Sequence, residues 1–172
     1  RVGKGAHGST YACMLEDGSF LALKETELNA GEEEGAEAMR SEVNRAKHWL
    51  HPNVMKYYGM NYNETDMKVQ LFTEYAANGT LETFAKNNEA RIPERICRRY
   101  ARQVVAGLNF LHMKGVVHRD LKPSNICLTQ EGICKLSDFS ACTVVGTTTG
   151  KASRRAQTMI GTPIYMAPEI IL

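Results

Sequence analysis

The sequence lacks the features that identify membrane proteins, disulfide-rich secreted proteins and zinc proteins. No apolar run approaches the length of about 20 residues that a membrane-spanning helix needs, and the first residues do not form a signal peptide. The five cysteines are odd in number and show no C-x-x-C spacing, and the five histidines show no metal-ligand spacing. These absences predict reduced thiols in a cytoplasmic protein.

An excess of charge of either sign is also missing. The 21 basic and 19 acidic residues leave a net charge of +2, which is too small to indicate binding to nucleic acid or to a membrane surface. Internal repeats and low-complexity linkers are absent, and 43% of the 172 residues are apolar, enough for a core. We therefore expect one domain, or a fragment of a larger one, without a nucleic-acid or membrane partner.

What the sequence does contain is a short loop, residues 117–125, that is dense in polar side chains and lies between apolar stretches. The loop offers the carboxylate of Asp120, the ammonium group of Lys122 and the carboxamide of Asn125, and Asp138 follows farther on. A carboxylate for a hydroxyl proton, a cation for phosphate charge and two oxygen ligands for magnesium are what phosphoryl transfer requires. A turn that carries only surface charges is the alternative.

Residues 118–125 read HRDLKPSN and resemble the catalytic loop of the eukaryotic protein kinases, whose signature is H-R-D-L-x-x-x-N. The lysine two positions after the aspartate is similar to that of the serine/threonine class. The resemblance implies that Asp120 orients the substrate hydroxyl and accepts its proton, and that Lys122 neutralises the γ-phosphate. It also implies that Asn125 and Asp138 hold Mg²⁺ between the phosphates of ATP.

A glycine-rich stretch at the start of the chain, residues 3–8, reads GKGAHG. Glycines let a backbone approach phosphates closely, and the alternating residues on both sides predict a β-hairpin rather than a strand-to-helix turn. The resemblance implies that this hairpin belongs to an ATP site, with Thr73 at its rear and Cys127 beneath the adenine. The residues implied for the whole site are Val2, Gly3, Gly5, Gly8, Thr10, Ala22, Lys24, Thr73, Glu74, Ala76 and Cys127.

Residues 29–50 are predicted to form a helix with an apolar stripe. The stripe consists of Ala36, Met39, Val43 and Ala46. Glu42 points along this stripe, where a carboxylate without a partner would be costly. Lys24, at the end of a strand predicted over residues 19–24, is the candidate partner, and the pair resembles the Lys–Glu ion pair of kinases. A glutamate at the edge of the stripe that reaches solvent is the alternative.

The remaining pattern predicts two strands and a second long helix. The strands cover residues 55–60 and 68–75, with a polar turn at residues 61–66 between them. Thr80 is placed to cap a helix N-terminus. Residues 93–113 show a strong helical periodicity, and their arginines are predicted to form a solvated face.

The segment 141–158 is polar and rich in threonine and serine, which is typical of a mobile segment. Because Arg119 lies beside Asp120, the resemblance implies a switch by phosphorylation, with Thr158 as the first choice of phosphosite. Four other residues compete with it, namely Thr147, Thr148, Thr149 and Ser153.

Residues 161–169 read GTPIYMAPE and resemble the substrate-facing turn and A-P-E anchor of serine/threonine kinases. The resemblance implies that Thr162 bridges Asp120 and Lys122. Residues 138–140 read DFS where the family has D-F-G. We interpret Ser140 as a constraint on alternative conformations of this loop, because serine lacks the backbone freedom of glycine.

The resemblance covers the whole chain and implies an α+β, two-lobed, protein-kinase-like fold. Residues 1–75 would form a small ATP-binding lobe, an antiparallel β-sheet with one helix, and residues 76–172 the start of a large, mainly α-helical catalytic lobe. Among subfamilies, the chain is most similar to the MAP kinase kinase kinases of the MEKK type. The motifs that carry this similarity lie at residues 51–54 (HPNV), 57–59 (YYG), 74–75 (EY), 79–81 (GTL) and 161–169.

The implied function is the ATP- and Mg²⁺-dependent phosphorylation of a protein, a MAP kinase kinase, on serine or threonine. The implied partners are this substrate and an upstream activator, unless autophosphorylation replaces the activator. Two alternatives stay open. Ser140 favours a pseudokinase or scaffold that binds nucleotide without turnover. A small-molecule phosphotransferase of kinase-like fold is the second, although the turn and anchor at residues 161–169 suit peptide substrates.

Overall fold

The chain divides into two units along its length. The computed structural model describes residues 1–5, 8–28, 33–63, 65–88, 92–144 and 161–171. The first unit consists of Arg1–Leu50 and Met55–Ala76, and the second of His51–Val54 and Ala77–Leu172. Among the residues that the structure describes, no helix is both long and apolar enough to span a membrane.

The first unit is an antiparallel sheet with one helix, as predicted. Its strands are β1 (Gly3–Gly5), β2 (Gly8–Met14), β3 (Phe20–Glu27), β4 (Tyr57–Asn63) and β5 (Lys68–Glu74). Their spatial order is β1-β2-β3-β5-β4, and every neighbouring pair is antiparallel. The helix α1 spans Glu33–Ala46.

Local chemistry explains how these elements start and pack. The turn between β2 and β3 has Gly18 at φ +80°, and the Asp17 carboxylate accepts hydrogen bonds from the backbone N–H and the hydroxyl of Ser19. In α1 the predicted apolar stripe is confirmed at three positions that are buried, Ala36, Val43 and Ala46.

Several predicted boundaries were wrong in the first unit. The helix predicted over residues 29–50 ends at Ala46, because residues 47–48 form a turn; its predicted start at residues 29–32 lies outside the described residues. The strand predicted over residues 55–60 begins at Tyr57 and continues to Asn63, because residues 61–63 pair with residues 68–70 of β5. The strand predicted over residues 19–24 runs from Phe20 to Glu27, because it pairs with β5 along its whole length after Phe20.

The second unit contains three helices and two small sheets among its described residues. The helices are α2 (Leu81–Asn87), α3 (Glu94–Met113) and α4 (Pro168–Ile171), with 3-10 turns at Pro123–Asn125 and Pro163–Tyr165. Strand β6 (Val116–Val117) pairs with β9 (Thr143–Val144), and β7 (Ile126–Leu128) pairs with β8 (Cys134–Leu136). The predicted cap is confirmed, since the Thr80 hydroxyl accepts a hydrogen bond from the backbone N–H of Thr83 at the start of α2.

Helix α3 forms the support on which the small β7–β8 sheet rests. A Cβ at Gly107 would lie 2.6 Å from the carbonyl oxygen of Asn53 and 3.0 Å from Cδ1 of Leu136, so only glycine fits between them. The Asn53 side chain donates to the carbonyl of Cys134 at 3.0 Å, and the Leu136 N–H donates to the carbonyl of Asn53 at 2.9 Å. These contacts join residues 51–54 to the second unit, which the sequence did not predict.

Candidate active site

Two short loops lie between the two small sheets of the second unit. The β6–β9 pair holds the start of the loop 118–125 and the end of the segment 137–142, and the β7–β8 pair holds their other ends. Strand pairing thereby fixes both loops at both ends, although each sheet has only two strands. A loop anchored in this way can hold polar side chains in one arrangement.

The carboxylate of Asp120 is the centre of a hydrogen-bond network. Its Oδ1 accepts from the Thr162 hydroxyl at 2.9 Å, and its Oδ2 lies 2.7 Å from Nζ of Lys122 and accepts from Nδ2 of Asn125 at 2.9 Å. Lys122 also donates to the Thr162 hydroxyl at 2.8 Å. The predicted bridge between Asp120 and Lys122 through Thr162 is therefore present.

These contacts decide the ionisation of Asp120. Burial raises its pKa, but the hydrogen bonds from Lys122 and Thr162, the positive charge of Lys122 and the hydrogen bond from Asn125 together hold the pKa below its ordinary value. The group is therefore a carboxylate at neutral pH. A carboxylate accepts about four hydrogen bonds, so one further donor, such as a hydroxyl group, can still be accommodated beside the three protein donors.

Asn125 and Asp138 are brought together by the pairing of β7 with β8. Ile126 pairs with Leu136, and the Ser137 N–H donates to the carbonyl of Asn125 at 2.9 Å. Both hydrogen bonds from the Asn125 amide nitrogen reach oxygens of Asp120, so its amide oxygen is directed away from that carboxylate. A carboxamide oxygen and a carboxylate are ligands that Mg²⁺ prefers, so these residues fit the predicted metal site.

His118 is a structural residue of this loop. Its ring is 2% exposed and meets Phe139 edge-on, with ring centroids 5.6 Å apart. Burial lowers its pKa, and the hydrogen bond to Ser137 and the nearby charges of Asp138 and Asp120 oppose this only in part. The ring is therefore neutral at neutral pH. Its Nε2 donates to the Ser137 carbonyl, while Nδ1 has no hydrogen-bond partner among the described residues.

Two residues of these loops have backbone conformations that non-glycine residues rarely adopt. Arg119 has φ +67° and Asp138 has φ +61°. The left-handed region costs roughly 1–2 kcal/mol for such residues, and conformations of this kind concentrate at functional sites. The surrounding strand pairs and hydrogen bonds therefore stabilise a geometry that the two residues do not favour by themselves.

The glycine-rich stretch forms the predicted hairpin of β1 and β2, and one of its glycines has a clear structural role. Gly8 has φ +122°, and a Cβ there would lie 1.8 Å from the carbonyl oxygen of Glu25. Gly3 pairs with Thr10, and the exposed Val2 donates its N–H to the carbonyl of Thr10 at 2.8 Å. Close approach of β2 to β3 thus requires glycine at position 8 independently of any phosphate.

The other residues implied for nucleotide binding occupy neighbouring positions of the first unit's sheet. On β3, Ala22 pairs with Thr73 of β5, and Lys24 pairs with Thr10 and with Leu71. Glu74 ends β5 and accepts a hydrogen bond from the Lys56 N–H at 3.0 Å. Ala76 follows two residues later as the last residue of this unit.

The side chains of two predicted site residues are not described by the structure. Glu42 lies in α1, but its side chain is outside the described residues, so the predicted pair with Lys24 stays a prediction. Thr158 also lies outside the described residues. Cys127 lies in β7 of the second unit, with its sulfur 3.4 Å from the Ser137 hydroxyl.

Sequence reasoning missed the hydrogen bonds that two serines make to the candidate site residues. Ser137 donates its hydroxyl to the carbonyl of Asn125 at 3.1 Å, and the hydroxyl of Ser140 donates to Oδ1 of Asp138 at 2.8 Å. Their positions on either side of the Asp-Phe pair were visible in the sequence, but their hydrogen-bond partners were not.

Comparison with known proteins shows the family of the chain. A family model described as "Protein kinase domain" matches residues 1–172. The chain is 38% identical over 172 residues to "MAP3K epsilon protein kinase 1" of Arabidopsis thaliana, covering 99% of this chain and 12% of that protein.

Two further relatives come from a fungus and an animal. The chain is 39% identical over 171 residues to "Cytokinesis protein sepH" of Aspergillus terreus, covering 99% of this chain and 12% of that protein. It is 34% identical over 179 residues to "Mitogen-activated protein kinase kinase kinase 4" of Homo sapiens, covering 99% of this chain and 10% of that protein. The chain thus spans about an eighth or less of the length of these relatives.

Proposed function

The chain belongs to the protein kinase domain family over residues 1–172, and from this premise we propose that it transfers the γ-phosphoryl group of ATP to serine or threonine of a protein. The observation that carries the proposal is the carboxylate of Asp120, held by Lys122, Thr162 and Asn125 in a loop that strand pairs anchor at both ends.

In this reaction Asp120 accepts a hydrogen bond from the substrate hydroxyl and orients its oxygen toward the phosphorus. Because its pKa is below the ordinary value, Asp120 acts mainly by orientation and accepts the proton late, as the new oxygen–phosphorus bond forms. Lys122, 2.7 Å from Asp120, balances the charge of the carboxylate and of the transferred phosphoryl group. Positioned charges of this kind supply most of the rate acceleration in phosphoryl transfer.

We assign the metal ligands to Asn125 and Asp138. Mg²⁺, when bound there, would neutralise charge on the ATP phosphates. The chain's contribution is to present two oxygen donors from adjacent strand ends, with the Asn125 amide oriented by its hydrogen bonds to Asp120. Supporting hydrogen bonds that orient ligands in this way commonly affect metal affinity as much as the ligands themselves.

The nucleotide site is proposed on the residues implied by the family resemblance. Residues 1–75 serve as the ATP-binding part of the domain, in which Lys24 binds the α- and β-phosphates and pairs with Glu42. Residues 76–172 serve as the start of the catalytic part. The remaining contacts to ATP come from Val2, Gly3, Gly5, Gly8, Thr10, Ala22, Thr73, Glu74, Ala76 and Cys127.

The substrate we propose is a MAP kinase kinase. Support comes from the names of two relatives, the MAP3K epsilon kinase and mitogen-activated protein kinase kinase kinase 4, whose alignments cover 99% of this chain. We further propose that phosphorylation of Thr158, by an upstream activator or by the chain itself, switches activity. All five cysteines are free thiols, which supports a reducing, cytoplasmic location.

Transfer of radiolabelled phosphate from ATP to MAP kinase kinases tests this proposal in the full chain. The variants Asp120→Ala and Asp120→Asn should lower the transfer rate by about 10²–10⁴-fold, the typical contribution of a positioned acid–base group. Phosphoamino-acid analysis of the product should find phosphoserine or phosphothreonine. Equal transfer by the natural sequence and Asp120→Ala would contradict the role of Asp120.

The pseudokinase alternative predicts a different pattern in the same assay. Nucleotide would bind to the natural sequence, but no phosphate above the Asp120→Ala background would be transferred to any protein. Ser140, which raised this alternative, does not have a positive φ in the structure, so glycine's freedom is not needed at this position in the observed conformation. Transfer to a small molecule with none to protein would support the phosphotransferase alternative.

A further inference from the structure

Ser140 contacts the carboxylate that the proposed function assigns to the metal. Its hydroxyl donates a hydrogen bond to Oδ1 of Asp138 at 2.8 Å. Hydrogen bonds to a carboxylate are stronger than those between neutral groups, and this one restricts the rotation of the Asp138 side chain. Oδ1 of Asp138 thereby accepts the hydrogen bond from Ser140, and this contact also fixes the position of Oδ2.

The backbone around this contact makes the hydrogen bond more than a local turn feature. Asp138 has the unfavourable φ of +61°, and the following turn is closed by a hydrogen bond from the Cys142 N–H to the Phe139 carbonyl at 3.0 Å. Ser140 lies inside that turn, and its φ is not positive. Its hydroxyl therefore links the residue with the strained backbone to the turn that follows it.

The chain contains a matched example of the same contact in a different setting. Ser19 donates its hydroxyl to Oδ1 of Asp17 at 2.6 Å, also two residues away. That pair lies in an exposed turn between β2 and β3, and neither Asp17 nor Ser19 has a positive φ. An Asp-x-Ser hydrogen bond alone is thus an ordinary turn feature. Asp138 differs from Asp17 in its positive φ and in its place next to Ser137, whose N–H donates to the Asn125 carbonyl.

We propose that Ser140 is a positioning residue for the metal, a role that rests on the proposed function of Asp138 as a magnesium ligand. The Ser140 hydroxyl holds Asp138 through Oδ1, so that Oδ2 is presented to the cation beside the amide oxygen of Asn125. Serine thus restricts the backbone at this position, and its hydroxyl fixes the carboxylate of Asp138.

Four variants of the full chain separate the hydroxyl from the backbone effect. Ser140→Ala removes the hydroxyl and keeps a Cβ, Ser140→Thr keeps the hydroxyl, and Ser140→Gly removes both the hydroxyl and the restriction. Ser19→Ala removes the matched hydrogen bond away from the site. The first readout is the affinity for Mn²⁺ with a non-hydrolysable ATP analogue, measured by electron paramagnetic resonance, with Asp138→Asn as the control for ion binding at this residue.

We expect Ser140→Ala and Ser140→Gly to weaken Mn²⁺ binding by about three- to tenfold, the typical net effect of losing one hydrogen bond. The Mn²⁺ affinities of Ser140→Thr and Ser19→Ala should stay within about twofold of that of the natural sequence, because both variants keep a hydroxyl group at position 140. Equal affinity of Ser140→Ala and the natural sequence would overturn the inference. Equal losses in Ser140→Ala and Ser140→Thr would overturn it too, since they would show an effect of shape.

A second readout needs neither metal nor nucleotide. Amide hydrogen exchange over residues 139–142 should be faster in Ser140→Ala than in Ser140→Thr or the natural sequence, and unchanged exchange would contradict the positioning role. If the natural sequence itself binds no Mn²⁺ with the nucleotide, the proposed function fails and this inference fails with it. Normal binding that is insensitive to Ser140→Ala contradicts the inference alone.

Discussion

At the scale of single residues, Asp120 shows how neighbouring groups determine what an acid can do. Its three donors, Lys122, Thr162 and Asn125, all stabilise the ionised form, and together they outweigh the effect of burial on its pKa. A strong base would need the opposite balance. The geometry therefore suits a carboxylate that orients a hydroxyl group over a wide pH range.

The Thr162 hydroxyl gives a direct test of this balance. Thr162→Val removes one hydrogen-bond donor from Asp120 and should raise the pKa of Asp120. In a plot of kcat/KM against pH, the acid limb should therefore move to higher pH. The value of kcat/KM at neutral pH should fall about tenfold, the typical effect of one hydrogen bond to a charged group. Thr162→Ser, which keeps the hydroxyl, should restore both. An unmoved acid limb would show that Thr162 does not control Asp120.

The cysteines differ in reactivity for reasons that can also be stated residue by residue. Cys134 is 1% exposed, and burial raises the pKa of its thiol to about 11, with Arg99 opposing this weakly. Cys97 is exposed on α3. Because the thiolate is the reactive form, iodoacetamide at pH 8 should modify Cys97 and leave Cys134 unmodified until the chain unfolds. Peptide mapping by mass spectrometry measures both, and equal rates would contradict the buried position of Cys134.

At the scale of elements, the sequence predicted the helix that has a clear apolar periodicity. It missed the strand end and the long-range contact that depend on pairing between distant segments. Helix α3 was predicted over residues 93–113 and spans Glu94–Met113, because its apolar repeat is strong. Strand β4 was predicted to end at residue 60 but runs to Asn63, since hydrogen bonding to β5 decides its end although asparagine disfavours strands. The contact of Asn53 with β8 has no local signal at all, because its partners lie about eighty residues away.

The same distinction applies to the site. The types and spacing of Asp120, Lys122, Asn125 and Asp138 could be read from the sequence, since the chemistry requires those groups. The positive φ of Asp138 could not, and neither could the hydrogen bond from Ser140, because residue types do not specify the turn that follows Asp138. Local strain of this kind is set by the surrounding strand pairs rather than by residue preference.

Packing of α3 on β8 gives a prediction at this scale. Gly107→Ala should destabilise the second unit by about 1–3 kcal/mol, although alanine favours helices, because its Cβ would lie 2.6 Å from the Asn53 carbonyl oxygen. Gly59→Ala is the matched control, since a Cβ there meets nothing within 4 Å and the change should stay within about 0.5 kcal/mol. Denaturant unfolding of the full chain measures both. Equal stability of the two variants would show that the helix can shift to accept the methyl group.

At the scale of the whole molecule, the proposed reaction draws residues from both units. Lys24 belongs to the first unit, with one sheet and one helix, and Asp120 to the second, with two small sheets and three helices among the described residues. Neither unit by itself contains the full set of residues that the reaction needs. The proposal therefore requires that residues of both units act on one substrate complex.

A double-mutant cycle tests this joint action. Lys24→Met and Asp120→Asn should each lower kcat by about 10²–10⁴-fold. The double variant should be about as slow as the slower single variant, because residues that act on one transition state give strongly non-additive effects. A second double variant combines Lys24→Met with Gly59→Ala, a change outside the proposed site. Its loss of kcat should instead equal the product of the two single effects. If the Lys24 and Asp120 effects also multiply, the two residues act independently, and the assignment of both to one phosphoryl transfer is wrong.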